Sequence, residues 1–402
     1  MRILHVVTAF PRTADDVIVP WLVELLQRLK TRGHDVEVFT SSYRGARDQV
    51  FAGIPVHRFR YFPRRWENLT HEEAAPDRMR RSLLYRLMPA GFVLAGMAAI
   101  WRLCRRQRYD VIHVHWPLPL ALFGWAAQRA RPVPLVTTFY GVELRWVKSA
   151  MPFLKRFLAW AARRADRVVA ISSYTAREVR ELVDVPVEVI PYTASFPETA
   201  PRQPHGGARG AQEPFTVLFV GRLVERKGVS HLIAALARLD RSVPGRLVIV
   251  GEGPERSRLE EDARRHGVTD RVEFRGRVSA QELGAAYASA SVFVLPSVLD
   301  ARGDTEGLGV VLLEAMHHEV PVIGSRIGGI TDIVVDGESG LLVPPGDDEA
   351  LATALRTLAQ DPALAARLGA GGRERLRAEF SWDAILRRWE KLYREVAERG
   401  AP

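Results

Sequence analysis

Short apolar runs alternate with amphipathic helical patterns along the first half of the chain. Runs rich in β-branched residues predict strands at residues 3–7, 36–40, 111–115, 135–138, 168–171 and 187–190. Helical patterns between them predict helices at residues 20–32, 78–106, 118–130, 152–164 and 175–182. Because buried strands that alternate with helices form parallel sheets covered on both faces, this half is predicted to be a doubly wound α/β domain.

The same alternation restarts after a segment rich in proline, glycine and alanine, residues 199–210, which cannot build a core. The restart predicts strands at residues 215–221, 247–251, 272–274 and 292–295 and helices at residues 229–239, 254–266 and 280–288. We therefore expect two Rossmann-like domains, 1–198 and 215–378, joined by a linker at 199–214 and facing across a cleft. A last helix, 379–402, is expected to pack back on the first domain. Ligands of such sheets bind outside the carboxyl ends of the strands.

Two glutamates in the second half surround an apolar helical pattern. Glu314 has apolar neighbours on nearly every side, and a carboxylate there is costly unless something hydrogen-bonds it. Glu306 would lie roughly 12 Å away along a continuous helix. Gly307 and Gly309 instead favour a loop before the helix, where the amides of Gly307, Leu308 and Gly309 would favour an anion such as a pyrophosphate. This pattern predicts a diphosphate-bridged ligand with hydroxyls on both sides, the shape of a sugar nucleotide.

Two cations follow the first strand of the second half. Arg222 and Lys227 lie between the strand that ends near Gly221 and the next helix. Arginine binds phosphate oxygens bidentately, and lysine supplies a compact charge. Alone, the pair is more typical of a solvated surface, but together with the paired glutamates it favours phosphate binding.

These motifs resemble those of the retaining glycosyltransferases of family 4, which have the two-domain GT-B fold. The resemblance is carried by Gly221-Arg222-Leu223 with Lys227-Gly228, Glu306-Gly307-Leu308-Gly309 with Glu314-Ala315, Gly328-Gly329-Ile330, and residues 166–172 of the first half. It implies that Arg222 and Lys227 bind the donor diphosphate and stabilise the leaving nucleotide. With Glu306, these two residues are the expected catalytic residues.

The resemblance assigns the rest of the donor site as well. It implies that Glu314 hydrogen-bonds the ribose and that Glu306 contacts the transferred sugar, beside the amides of residues 307–309. The leaving phosphate is stabilised by cations, so no metal or cofactor is expected, in agreement with the absence of an Asp-x-Asp motif. Retention without a protein nucleophile, with the leaving phosphate assisting deprotonation of the acceptor, is the mechanism usually proposed for the family.

The first half departs from the family pattern at Tyr140-Gly141-Val142-Glu143, where members often have His-Gly-x-Asp/Glu. Tyr140 is a candidate hydrogen-bond donor beside the transferred sugar. Glu143 is either a carboxylate at the edge of the core or an acceptor contact. His115 either borders the cleft or, more typically, is a structural histidine. The sequence shows no further group of metal-binding residues, at the spacing of a zinc site, that would accompany His115, which disfavours zinc.

The net charge of +10 is concentrated in the first half, since residues 1–198 carry +12 and the remainder −2. Basic runs at 78–81, 102–108 and 155–164 flank apolar or aromatic helices. That arrangement is typical of an anionic membrane interface or of solvated helix faces, and we favour peripheral membrane contact. The longest uncharged run, 87–101, is shorter than the ~20 residues of a spanning helix, so a buried or interfacial helix is predicted. The basic residues lack interleaved stacking motifs, which disfavours nucleic acid.

The single cysteine, Cys104, excludes an internal disulfide, and no secretory signal is visible before the first strand. We therefore expect a cytoplasmic protein, with peripheral contact at the inner face of the plasma membrane.

The sequence predicts a retaining, metal-independent transferase that moves a sugar from a UDP- or GDP-sugar to a glycan or lipid-linked acceptor. Cell-surface polysaccharide or glycolipid synthesis is the expected context. Two alternatives stay open, namely a nucleotide-sugar epimerase of the same fold and a non-catalytic protein that binds anionic membranes or nucleic acid. A phosphorylase is disfavoured because no pyridoxal-phosphate lysine can be placed.

Overall fold

The computed structural model describes residues 1–16, 18–71, 83–149, 151–194, 215–239 and 245–400, and the chain divides into two compact units. The first unit comprises Met1–Ile171, Thr175–Ile190 and Ile385–Pro402, and the second comprises Ser172–Tyr174 and Pro191–Ala384. Each unit contains a mainly parallel sheet with helices, which confirms the predicted α/β class. The predicted linker and the basic run at 78–81 lie outside the described residues.

The first unit is built on an eight-stranded sheet. Its strands are β1 Arg2–Val6, β2 Asp35–Ser41, β3 Gln49–Phe51, β4 Ile54–Phe59, β5 Val111–His115, β6 Leu135–Phe139, β7 Arg167–Ala170 and β8 Val187–Val189. They lie in the order β3-β4-β2-β1-β5-β6-β7-β8, and only the β3–β4 pair is antiparallel. The sheet extends from β1 in one direction through β2 and in the other through β5. The carboxyl ends of β1 and β5 therefore form a topological switch point, where ligands of open α/β sheets bind.

Helices cover this sheet, and the sequence patterns located most of them. They are α1 Pro20–Thr31, α2 Leu83–Arg106, α3 Pro117–Ala130, α4 Val142–Ser149, α5 Lys155–Arg164 and α6 Ser173–Leu182. The β3–β4 hairpin was not predicted. Its two-residue turn puts Ala52 at φ 50° and Gly53 at φ 77°, and alanine gives no turn signal in a sequence.

Helix α2 packs against α3 and buries Met88, Phe92, Ile100 and Cys104 in the first-unit core. Within the described residues, its segment Leu87–Arg106 is long and apolar enough to cross a membrane by length and composition alone, with a mean hydropathy of 1.6. Only 28% of that window is buried, so the helix has one face in the core and one face outside it.

The second unit is built on a six-stranded parallel sheet. Its strands are β9 Phe215–Val220, β10 Gly245–Val250, β11 Val272–Gly276, β12 Val292–Leu295, β13 Val322–Ser325 and β14 Leu341–Val343. Their order is β11-β10-β9-β12-β13-β14, so the switch point lies between β9 and β12. The helices are α7 Val229–Ala237, α8 Arg256–Arg265, α9 Ala280–Ser289, α10 Val310–His317, α11 Ile330–Ile333, α12 Asp348–Gln360, α13 Pro362–Arg375 and α14 Trp382–Gly400. Most of α14, from Ile385 onward, belongs to the first unit.

Candidate functional site

Lys227 lies beyond the carboxyl end of β9, at the switch point of the second unit. It ends a single 3₁₀ turn, Glu225–Lys227, and Gly228 follows in the left-handed region at φ 65°. A Cβ at Gly228 would lie 1.9 Å from the carbonyl oxygen of Pro296, which follows β12. The turn is therefore pressed against the end of the neighbouring strand, and no residue with a side chain fits there.

Lys227 is paired inside the protein. Its Nζ donates a hydrogen bond to Oε2 of Glu306, and both residues are buried. Arg226 Nη1 lies 3.6 Å from the same oxygen, and Arg226 Nε lies 3.5 Å from Asp304 Oδ2. Buried charges are costly unless they are paired, so Glu306 and Lys227 hold each other in place. Arg226 and Asp304 were not predicted, because neither belongs to the motif pattern.

The loop that carries Glu306 is fixed by the glycine turn that follows β13. Glu306 lies before α10, which begins at Val310, so the predicted loop placement is confirmed. Gly329 N–H donates to the Glu306 carbonyl oxygen at 3.0 Å. A Cβ at Gly328, where φ is 59°, would lie 2.1 Å from that oxygen. The Gly328-Gly329 pair therefore positions Glu306 by close approach of backbone to backbone.

The other donor-side residues surround this pair to different degrees. Cβ atoms built on Gly221 and Gly309 would lie 3.8 Å from Lys227 Cε and 3.6 Å from Glu306 Cγ. Leu308 is buried, and Gly307 lies between it and Glu306. Arg222 is exposed, and no ion pair joins it to a carboxylate within the described ranges, so its guanidinium presents its donors to solvent.

Glu314 has a hydrogen-bond partner that the sequence did not reveal. Tyr287 Oη, on α9, donates to Glu314 Oε2 at 2.8 Å. Burial raises the pKa of Glu314, and the Tyr287 hydrogen bond lowers it by a smaller amount. The Tyr287 ring stacks on His318, with a centroid distance of 5.4 Å and an interplanar angle of 9°. Tyr287 lies 27 residues before Glu314, and no motif links the two.

Tyr140 follows β6 in the first unit, and its hydroxyl lies 2.7 Å from His115 Nδ1. Its ring stacks on Trp116 at 4.3 Å between centroids and lies 5.4 Å from Trp21. His115 is fully buried, and His5 Nδ1 lies 3.0 Å from its Nε2. These contacts and the burial of His115 favour the structural interpretation, because its ring has no surface of its own.

Glu143 contacts the backbone of the same loop. Tyr140 N–H donates to Glu143 Oε1 at 2.8 Å, while Glu143 Oε2 is buried with no hydrogen-bond partner among the described residues. Burial raises the pKa of Glu143 to about 7. This carboxyl thus holds the Tyr140 loop at the start of α4, and its geometry favours the core-edge interpretation.

Three histidines of the first unit, His5, His113 and His115, form a buried cluster in which one ring nitrogen from each residue lies within 4.8 Å of the other two. Strand register places His5 beside His113, and sequence spacing gave no signal for His5. Both nitrogens of His113 contact hydroxyls, Tyr393 Oη at 2.7 Å and Thr138 Oγ1 at 2.8 Å. The rings of His113 and His115 stack at 3.9 Å, so their in-plane lone pairs do not converge on one point. A hydrogen-bond network fits this geometry better than a set of metal ligands does.

Comparison with known proteins matches both halves of the chain to family models. Residues 21–192 match "Glycosyltransferase Family 4", and residues 207–375 match "Glycosyl transferases group 1". The chain is 30% identical to a glycogen synthase of Mycobacterium tuberculosis over 100% of its own length and 96% of that protein. It is 32% identical to a GDP-mannose-dependent alpha-(1-6)-phosphatidylinositol monomannoside mannosyltransferase of Mycolicibacterium smegmatis, over 83% of this chain and 90% of that one.

Solved structures share the two-domain architecture. The chain aligns with sucrose-phosphate synthase from Thermosynechococcus elongatus at a TM-score of 0.72 and 27% identity, covering 98% of both chains. It also aligns with Anabaena HepE in complex with UDP and glucose at a TM-score of 0.69 and 21% identity, covering 98% of this chain and 100% of the other. The second likeness bears on the fold alone.

Proposed function

Since the chain belongs to glycosyltransferase family 4 and has the GT-B fold, we propose that it transfers a sugar from a nucleotide-sugar donor to a glycan or lipid-linked acceptor with retention of the anomeric configuration. The observation that carries this proposal is the buried Lys227–Glu306 pair at the switch point of the second sheet. A cation and a carboxylate side by side suit a ligand in which a phosphate adjoins a hydroxyl-bearing ring.

The donor lies across the ends of β9 and β12 in this proposal. Arg222, which is exposed, and Lys227 bind the diphosphate, while Glu306 accepts hydrogen bonds from hydroxyls of the transferred sugar. Glu314, oriented by Tyr287, accepts hydrogen bonds from the ribose. The amides of residues 307–309 lie before α10, whose dipole favours the phosphate charge.

The chemistry depends on electrostatic stabilisation of the leaving diphosphate. As the glycosidic bond breaks, negative charge grows on the phosphate oxygen, and preorganised cations lower the energy of that state. Lys227 is held by Glu306 before any charge develops, so it needs little reorganisation during the reaction. Two side-chain cations supply the charge that a metal ion supplies in other transferases, so the proposed reaction requires no metal or other cofactor.

The donor is proposed to be a UDP- or GDP-sugar. One relative at 32% identity is named for GDP-mannose, which supports the GDP-sugar. The acceptor is proposed to be a glycan or a lipid-linked saccharide of cell-surface polysaccharide or glycolipid synthesis. One relative is named as a glycogen synthase, and another is named as a phosphatidylinositol monomannoside mannosyltransferase.

Peripheral contact with an anionic membrane, on the cytoplasmic side, is part of the proposal. Leu87, Leu94 and Trp101 are spaced seven residues apart on α2 and are exposed, and the exposed cations Arg102 and Arg105 follow them. An apolar stripe beside arginines suits an interface of acyl chains and anionic headgroups. Sedimentation with phosphatidylglycerol vesicles should fall in a Leu87→Gln/Leu94→Gln variant. Equal binding by both proteins, or equal binding to phosphatidylcholine vesicles, would reject this part.

The transferase proposal is tested by incubating the purified protein with UDP-glucose, GDP-mannose or UDP-N-acetylglucosamine and a membrane or glycan extract. We expect release of the nucleotide and formation of a glycosylated product. NMR of this product should show the anomeric configuration of the donor. Isomerised sugar nucleotide without a glycosylated product would instead identify an epimerase. A folded protein that neither binds nor cleaves any of these donors would reject the proposal.

A further inference from the structure

Tyr140 is the outer end of a hydrogen-bond chain that runs into the core of the first unit. Its hydroxyl lies 2.7 Å from His115 Nδ1, and His115 Nε2 lies 3.0 Å from His5 Nδ1. The chain ends at His5 Nε2, which is buried with no hydrogen-bond partner among the described residues. Both histidines are fully buried.

The protons in this chain can be counted. Burial lowers the pKa of His5 to about 3 and that of His115 well below its ordinary value, so both rings are neutral near pH 7. A neutral imidazole has one donor nitrogen and one acceptor nitrogen. The two hydrogen bonds must therefore point in the same direction, either from Tyr140 inward to His5 or from His5 outward to Tyr140.

The buried end of the chain distinguishes the two directions. The inward direction puts a proton on His5 Nε2, and this N–H would be buried without an acceptor. The outward direction leaves only a lone pair there. Buried donors without partners are rarer in proteins than buried acceptors without partners.

We propose that His5 Nδ1–H donates to His115 Nε2 and that His115 Nδ1–H donates to Tyr140 Oη, so that the Tyr140 hydroxyl proton is directed away from His115 and toward a ligand oxygen. His5 and His115 are then positioning residues, and Tyr140 is the group that touches the ligand. The ligand oxygen is a hydroxyl of a sugar substrate bound at this edge of the first sheet. This last assignment rests on the proposed transferase function, whereas the proton order rests on the histidine geometry alone.

Side chains packed around the hydrogen-bond chain fix the positions of the His115 and Tyr140 rings. His113 contacts Tyr393 and Thr138 through its two nitrogens, and its ring stacks on that of His115 at 3.9 Å. Trp116 stacks on Tyr140. The His115 ring is thus held between partners, so a change of proton order does not require a change of ring position.

The position of Tyr140 in the sheet suits contact with a ligand. Tyr140 follows β6, and β6 pairs with β5, which forms the switch point of the first sheet with β1. Groups that follow these strands lie at the carboxyl edge where ligands of α/β sheets bind. His5 and His115 lie on β1 and β5 themselves, directly beneath that edge.

The proton order is tested without substrate, by NMR of the protein labelled with ¹⁵N in both histidine ring nitrogens. Protonated and bare nitrogens resonate in separate ranges, and signals are assigned with His5→Asn and His113→Gln variants. We expect a protonated Nδ1 and a bare Nε2 on both His5 and His115. A protonated Nε2 on His115, or a shift of these signals when Zn²⁺ is added, would overturn the proposal.

The role of the hydrogen-bond chain in the reaction is tested with two nearly isosteric replacements of His5. In His5→Asn the amide can donate to His115 Nε2 as the Nδ1–H does, whereas in His5→Asp the ionised carboxylate can only accept and reverses the chain. With UDP-glucose or GDP-mannose as donor, kcat/KM should fall about tenfold in Tyr140→Phe, the effect of one lost hydrogen bond. It should fall about as far in His5→Asp and stay within about threefold in His5→Asn.

Two further results distinguish the loss of the Tyr140 donor from a loss of stability, and from a failure of the transferase proposal. The double variant His5→Asp/Tyr140→Phe should lose no more turnover than Tyr140→Phe, because both changes remove the same donor. Full turnover in His5→Asp, with the altered proton order seen by NMR, would overturn the role of the chain. If the wild-type protein turns over no donor, the transferase proposal fails, and the NMR result still decides the proton order.

Discussion

Lys227 and Glu306 form an ion pair in which both residues are buried, with 8% and 9% of their surfaces exposed. Lys227 lies in the turn that follows β9, and Glu306 lies in the loop before α10. The two residues are 79 positions apart in sequence. Arg226 Nη1 lies 3.6 Å from the same Glu306 oxygen and adds a second positive charge beside it. The pair therefore links the stability of the second unit to the proposed donor site.

Breaking this pair should destabilise the protein. Lys227→Met leaves the buried Glu306 carboxylate without the cation that donates to it, so the free energy of unfolding should fall by about 3 kcal/mol. The double variant Lys227→Met/Glu306→Gln should recover part of that loss, because no buried charge is then left alone. Urea denaturation of the wild type, Lys227→Met, Glu306→Gln and the double variant measures this coupling.

The control for this experiment is the ion pair of Arg256 and Glu260, which are 2.9 Å apart on α8 and whose side chains each have 39% of their surface exposed. Arg256→Met should change the unfolding free energy by less than about 1 kcal/mol. Losses of equal size in Lys227→Met and Arg256→Met would show that burial does not strengthen the Lys227 pair.

Gly328→Ala should abolish most donor turnover. Its Cβ would meet the Glu306 carbonyl oxygen at 2.1 Å, so the Glu306 loop must move. Gly337→Ala is the matched control, since φ is 75° there and no atom lies within 4 Å of the added Cβ. Both variants carry backbone strain of about 1 kcal/mol, but only Gly328→Ala should lower kcat/KM more than tenfold. Equal kinetics in the two variants would disprove the positioning role of Gly328.

Tyr287→Phe should weaken nucleotide binding. The change removes the hydrogen bond that opposes the effect of burial, so the pKa of Glu314 rises further and less of its carboxylate is ionised. Calorimetry with UDP and GDP should show an affinity several times lower than that of the wild type near neutral pH, with partial recovery at higher pH. Tyr393→Phe removes a comparable buried hydroxyl from the first unit and should lose about 1 kcal/mol of stability without any change in nucleotide affinity.

Glu143 should make the stability of the protein depend on pH. Burial raises its pKa from 4.5 to about 7, so between these values the folded protein binds a proton that the unfolded chain releases. Stability contributed by this group therefore falls as pH rises from about 4.5 to 7, by roughly 3 kcal/mol in total. Glu143→Gln should remove that part of the dependence, as measured by denaturation at pH 5, 6, 7 and 8. Glu181→Gln, at an exposed position of the same unit, should follow the wild-type curve.

The fold was largely predictable, because buried parallel strands such as β5 and β12 are continuous apolar runs, and their predicted bounds match the structure. The Glu306 loop was predictable too, since its glycines mark a break before the helix. Partners contributed by tertiary packing were not predictable. Tyr287 reaches Glu314 from another helix, and His5 meets His115 through the sheet, and no spacing rule encodes either contact. The β3–β4 hairpin was missed because Ala52 occupies a turn position that usually holds glycine or asparagine.

The central claim is that the second unit binds a nucleotide sugar through Lys227, Glu306 and Glu314. The most direct measurement is the melting temperature of the wild-type protein with UDP-glucose, GDP-mannose and ADP-glucose, repeated on Glu314→Ala and Lys227→Met. Binding to the native state raises the melting temperature. We predict that one of these nucleotide sugars raises the melting temperature of the wild-type protein in a concentration-dependent way. The same ligand should leave the melting temperatures of both variants unchanged. No shift with any sugar nucleotide in the folded wild-type protein, or an equal shift in all three proteins, would contradict the claim.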